Sequence, residues 1–253
     1  MTVKMDNDST TGLPASIEAA WGLRGRPTKG PKPGLSLDRI VAAAVHIAVT
    51  DGLAAVSMNR VAADLGAATM SLYRYVSAKD ELLALMVDAA LGLPPEPPAP
   101  DRGWRAGLSR WAWAERAVLQ RHTWAIQVPI SGPPITPNQI AWLDQGLACL
   151  HGTGLAEDEK LSVILLVSGF VRTEVTLFSQ IAEATRASGT TPEEMMSSYG
   201  RLLARLADPR RFPAVNRMVM SGVADKPDDP DKEFIFGLDR ILDGVEALVR
   251  SRT

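Results

Sequence analysis

Cysteine is nearly absent: the chain of 253 residues has one, Cys149. A single thiol excludes an internal disulfide framework and a cysteine-built zinc site, and it fits a reducing compartment. Uninterrupted apolar runs are short. The densest, Ile164 to Val171, contains Ser168 and Gly169, well below the roughly 18 residues of a bilayer span, so no membrane-spanning helix is expected. Met1 to Thr10 hold no apolar signal core, which predicts a cytoplasmic protein. Histidines are few and scattered, at His46, His122 and His151. Cys149 and His151 lie two apart, so one helix face cannot hold them as a nucleophile–base pair. Gly-x-Ser-x-Gly, a phosphate loop and paired-histidine metal spacing are all missing, so no catalytic residue, metal or cofactor is expected.

What is present is ordinary in bulk and uneven in place. The chain is 46% hydrophobic and 22% charged with a net charge of −2, the composition of a globular protein. Residues 21–80 carry eight bases against four acids, +4, while residues 81–253 carry 18 bases against 22 acids, −4. A basic segment on an acidic body is either chance or the footprint of a polyanion.

Proline divides the chain. All 18 prolines avoid residues 34–93 and 138–191, and proline is excluded from helix interiors because it lacks the N–H and clashes with the preceding turn. These Ala/Leu-rich blocks read as helical, strand signals are poor, and the fold class is all-α. Residues 1–33 are polar and Gly/Pro-rich and read as a mobile basic leader. Residues 34–92 hold four helices capped near Ser36, Ser57, Ala68 and Ser77, and a proline-rich connector begins at Leu93. Residues 93–253 form a larger helical domain: helices over 101–127, from Thr136-Pro137 to Gly152, over 156–187, from Thr191-Pro192 to about Ala207, and over 231–250. The stretch 208–230 reads as irregular and its acidic run Asp228 to Asp231 as a solvated loop.

Ser57 to Val76 is the informative stretch. Two short helices around Gly66 match a helix-turn-helix, with Val61, Leu65 and Leu72 facing inward and Ala62, Ala63 and Ala67 allowing close approach. Ala68, Thr69, Met70 and Ser71 then open a helix free to enter a major groove. A purely structural hairpin would have the same pattern. The segment Arg24-Gly25-Arg26-Pro27 resembles arms that follow the minor groove, with a solvated leader as the alternative.

The run Ile40 to Leu91 closely resembles the N-terminal domain of TetR-family transcriptional regulators, above all Leu65-Gly66, Met70 to Val76 and Lys79-Asp80-Glu81-Leu82. Phe236 to Glu246 is similar to the last helix of the TetR-type C-terminal domain. The resemblance implies a three-helix head with the motif at its second and third helices, a linking fourth helix, and an all-α ligand-binding and dimerisation domain. It assigns DNA contact to Thr69, Met70 and Ser71 on base edges, to Tyr73 and Tyr75 on phosphate or base, and to Lys79 and Ser57 on phosphate. Asn59 stands where relatives often carry arginine, and Tyr75 where they often carry histidine.

Five of six tryptophans, Trp104, Trp111, Trp113, Trp124 and Trp142, fall between residues 104 and 142. They either wall an apolar pocket or fill a core. The ligand set expected with the resemblance is Trp104, Trp111, Trp124, Trp142, His122, Gln127, Arg172 and Phe178. Arg172, Thr173 and Glu174 interrupt a long apolar helix and either pair together or face solvent. The function expected is a homodimer, joined through the helices near 156–187 and 231–250, that represses from a palindromic operator and is released by a small apolar or aromatic molecule. In the cell it would sit with the nucleoid. A helical protein–protein adaptor is the other class compatible with this fold.

Overall fold

A computed structural model describes residues 11–24, 34–96, 103–223, 229 and 231–252. Among them are eleven helices: α1 (Ala15–Ala20), α2 (Leu37–Asp51), α3 (Met58–Asp64), α4 (Thr69–Leu72), α5 (Lys79–Leu91), α6 (Gly103–Arg121), α7 (Pro137–Cys149), α8 (Glu157–Ser188), α9 (Pro192–Leu206), α10 (Pro213–Met220) and α11 (Lys232–Arg250). The described residues contain no strand. Ser36 and Ser57 cap α2 and α3 as expected, each side chain accepting the backbone N–H three residues on. The cap of α5 falls one residue later than expected, at Ala78. There Glu81 compensates by accepting the Ser77 N–H.

Two cores follow from two apolar surfaces. The first gathers Ile40, Ile47, Val61, Leu72, Leu82 and Met86 around the head. The second gathers Leu108, Trp111, Trp142, Val167, Phe234 and Leu238 among α6, α7, α8 and α11. α8 and α11 approach closely because Gly237 has no side chain: a Cβ there would lie 2.4 Å from the Phe170 ring.

Several elements depart from the sequence expectations. The leader is not mobile throughout: α1 lies on the head, with Ile17 1% exposed in its core. Ser16 donates to Glu81 at 2.7 Å, and Trp21 Nε1 donates to the Ile135 carbonyl of the larger domain at 2.8 Å. A second unexpected helix, α10, occupies part of the stretch read as irregular. Asp231 is no solvated bystander, since its carboxylate meets Arg116 at 2.6 Å. Arg116 also forks onto Glu174, with both side chains 6% and 5% exposed. This triad ties α6, α8 and α11, and its bonds to Glu174 and Asp231 outweigh the opposing effect of burial on the Arg116 pKa and raise it. α8 corrects the expectation on apolar length. Despite Ser168 and Gly169 it is long and apolar enough to cross a bilayer, yet Arg172 and Glu174 on it bond to neighbouring helices and loops of the body.

Candidate nucleic-acid interface and ligand cleft

The head presents α4 on a scaffold of small residues. Val61, Leu72 and Val76 are fully buried, which locks α4 across α3, and Gly66 makes the turn at φ +62°. The exposed edge of this unit carries Ser57, Asn59, Met70, Tyr73 and Lys79, with Thr69 and Ser71 half-buried beside them. Met70 is 74% exposed, a large apolar side chain left in water at the start of the reading helix. Ser57 Oγ accepts the Arg60 N–H at 3.2 Å, which leaves its own hydroxyl proton to donate. Lys79 is the first residue of α5, where the unpaired N–H groups of a helix start add to its charge.

Two expected DNA contacts have partners within the protein. The Tyr75 hydroxyl donates to the Leu35 carbonyl at 3.0 Å, which closes the head. Arg24 is ion-paired with buried Glu18 at 2.9 Å, and the pair belongs to the fold of α1. Arg26 lies outside the described residues. Arg74 is exposed and makes no ion pair among the described residues, which adds it to the basic edge.

The tryptophans resolve the other way from the pocket reading. Trp111 and Trp142 meet edge to face at 5.9 Å. Trp111 Nε1 donates to the Trp142 carbonyl and Trp142 Nε1 to that of Gly92, so both polar handles are used by backbone and both rings are core. Trp104 packs on the same core, and Trp124 is buried in the core of the head. Their spacing carried an aromatic signal, but burial decided the role.

A cleft of about 320 Å³ opens between the 3₁₀ turn Thr123–Gln127 and the distal half of α8. Gln127 lines it as expected, together with Thr123, Ile126, Thr176, Ser179 and Glu183. Of the expected ligand set, Trp104, Trp111, Trp124, Trp142, His122, Arg172 and Phe178 do not line this cleft, and Phe178 is 36% exposed. Arg172 sits one helical turn before Thr176 on α8 and donates to the Ile126 and Val128 carbonyls at 3.2 and 3.4 Å, holding the turn to α8. It does not pair with Glu174. Near it lies Glu115, which the sequence reading missed because one glutamate in an α6 of mixed polarity resembles a surface residue. Its Oε1 accepts the Ser168 hydroxyl at 2.6 Å. Oε2 is shut from solvent with no hydrogen-bond partner among the described residues. Burial pushes the Glu115 pKa up to about 7 against the opposing pull of Ser168 and Arg172. Burial likewise lowers that of Arg172.

Known proteins share both halves. A family model for the tetracyclin repressor-like C-terminal domain matches residues 96–249, and one for bacterial regulatory proteins of the tetR family matches residues 40–86. The chain belongs to the TetR family. The HTH-type transcriptional repressor DrrR1 of Streptomyces coeruleorubidus is 41% identical over 242 residues, covering 94% of this chain and 87% of that protein. Among solved structures, apo ActR from Streptomyces coelicolor superposes with a TM-score of 0.73 at 26% identity, over 88% of this chain and 100% of ActR. ActR in complex with actinorhodin gives 0.70 at 28% identity, over 87% of this chain and 99% of that one. The protein is therefore a TetR-family DNA-binding transcriptional repressor. Regulators of this family are non-enzymatic, which closes the enzyme class. They are cytoplasmic, act as dimers, and bind DNA operators and small-molecule effectors.

Proposed function

We propose that this repressor holds a palindromic operator as a homodimer and leaves it when a small molecule enters the cleft between the 3₁₀ turn and α8. The observation that carries the reading is the double duty of residues 123–127. Thr123, Ile126 and Gln127 line the cleft, while Trp124 and Ala125 of the same turn are buried in the core of the head. A ligand that moves one side of so short an element moves the other. Differential affinity for the two positions is all that release requires, and a few kcal/mol suffices.

The reading edge we assign is Ser57, Asn59, Thr69, Met70, Ser71, Tyr73 and Lys79. Met70 suits a thymine methyl, the hydroxyls suit base edges, and Lys79 with the start of α5 suits phosphate. Dimerisation through α8 and α11 is supported by their uncovered apolar side chains. Leu161, Leu165 and Leu166 on α8 and Ile235 and Phe236 on α11 are exposed, a patch that soluble monomers rarely leave open. The cleft combines Ile126 with several hydrogen-bonding side chains, so the effector is a small molecule with both apolar and polar surface. The ActR complex with actinorhodin supports a small-molecule effector. A footprint of the purified protein on the DNA flanking its own gene tests the whole reading. Protection of two half-sites one helical turn apart is expected, with affinity falling steeply as salt rises. Absence of binding to that DNA and to a selected random pool at low salt refutes it.

A further inference from the structure

Beyond the cleft itself, one stripe of polar residues runs through the apolar middle of α8 and on to the cleft. Ser168, Arg172, Thr176, Ser179 and Glu183 recur at intervals of three or four residues, the spacing of a single helix face. The outer three line the cleft. Arg172 bonds to the carbonyl of Ile126, itself a lining residue. Ser168 bonds to Oε1 of Glu115 and leaves Oε2 of the same carboxyl buried without a partner among the described residues. A buried polar atom left unpaired is costly, and native proteins keep few without a reason. Arg172 spends one nitrogen on two carbonyls and has further guanidinium N–H groups to offer.

We propose that Glu115 and Arg172 form the inner end of the effector site and select a ligand bearing a hydroxyl group: Glu115 Oε2 accepts the hydroxyl proton, and Arg172 donates to the same or an adjacent oxygen. The assignment rests on the reading of the cleft as the effector site. A purely hydrocarbon ligand would leave Glu115 Oε2 without a hydrogen bond and bind poorly. A hydroxylated one satisfies the orphan oxygen and gains a charge-assisted bond. The discrimination resembles that of any site built around a hydrogen bond, which rejects analogues lacking the group.

The test uses the full-length dimer, titrated calorimetrically at about pH 8 with 2-naphthol and with its methyl ether, which has nearly the same shape but no donor. Three proteins are compared: the unaltered chain, Glu115→Gln, and Thr176→Trp, which fills the outer cleft. The expected result is a preference for the naphthol of about tenfold in the unaltered protein. That preference should shrink several-fold in Glu115→Gln, and both ligands should fail to bind Thr176→Trp. Operator binding by each variant checks that it is folded. If Thr176→Trp blocks both ligands but the hydroxyl preference is absent, or persists unchanged in Glu115→Gln, the assignment of Glu115 is overturned and the cleft stands. If the ligands bind Thr176→Trp normally, or bind none of the proteins, the cleft reading falls and the assignment with it.

Discussion

Replacing Glu115 by Gln should stabilise the protein, and by an amount that grows with pH. The folded carboxyl titrates near 7 against an ordinary value of 4.5, with burial as the largest cause and Ser168 and Arg172 opposing it. A raised carboxyl pKa means the folded state holds its proton where the unfolded chain has released it. The penalty is therefore absent below the ordinary value, grows as pH rises through the window from 4.5 to 7, and is constant above it. A shift of this size corresponds to about 3 kcal/mol when complete. Glutamine mimics the protonated form, keeps an acceptor for Ser168 and carries no charge to desolvate. The advantage of Glu115→Gln over the unaltered chain should rise from about 1 kcal/mol at pH 5 to about 3 kcal/mol at pH 8. Urea unfolding of both proteins at equal concentration, at several pH values, measures it, and titrating groups not coupled to Glu115 cancel in the difference. A difference that stays flat across that window, or a glutamine variant less stable at pH 8, refutes the argument that this carboxylate is desolvated.

Other substitutions probe separate joints. Glu174→Ala removes the buried carboxylate that Arg116 forks onto while Asp231 stays beside it and should cost about 3 kcal/mol in urea unfolding, whereas the double replacement Arg116→Met with Glu174→Met should recover most of it. Ile17→Ala should destabilise the protein by about 2–4 kcal/mol, since the side chain is 1% exposed in the core of the head; a mobile leader would give no change. Tyr73→Ala combined with Lys79→Ala should abolish operator binding while sedimentation still reports a dimer, and retained affinity would refute those two contacts. Gly237→Ala should lower the melting temperature, because its Cβ would press into the Phe170 ring that stacks on Phe234.

Local signals in the sequence located the helices well, and their partners poorly. Ser36, Ser57, Thr136-Pro137 and Thr191-Pro192 mark helix starts because capping and proline placement act within one turn, and each start is where those residues put it. The helix-turn-helix was legible for the same reason, since Val61, Gly66 and Leu72 fix its geometry within about twenty residues. The fate of Tyr75 was not, because its hydroxyl closes on Leu35, forty residues away in sequence. Arg116 finds Asp231 across 115 residues and Glu174 across 58; nothing local distinguishes them from surface charges. α1 was hidden by its flanks, Gly12, Pro14 and Gly22, which read as leader although Ile17 has a place in the core. The tryptophans misled because aromatic clustering is shared by pockets and cores, and only burial, with the backbone bonds of the Trp111 and Trp142 N–H groups, separates the two.

The head is attached to the larger domain at two joints of different character. At the start of α7, Thr136 occupies the cap position without a side-chain bond, and its Oγ1 has no partner among the described residues. The capping is done by Asp88 of α5, which accepts the N–H groups of Asn138 and Gln139 at 2.8 and 3.1 Å. Asn138 returns a bond to the Asp88 carbonyl, and Trp142 and Trp21 bond across the same junction to Gly92 and Ile135. Five hydrogen bonds, two of them to a buried carboxylate, make this joint directional and stiff. The second joint is the 3₁₀ turn, which meets the head through the apolar packing of Trp124 and Ala125 and meets α8 through Arg172. Apolar packing has no preferred direction and slides at lower cost than a hydrogen-bonded cap breaks. In the proposed mechanism, reorientation of the head would therefore turn about α7 and be driven at the turn, the element that lines the cleft.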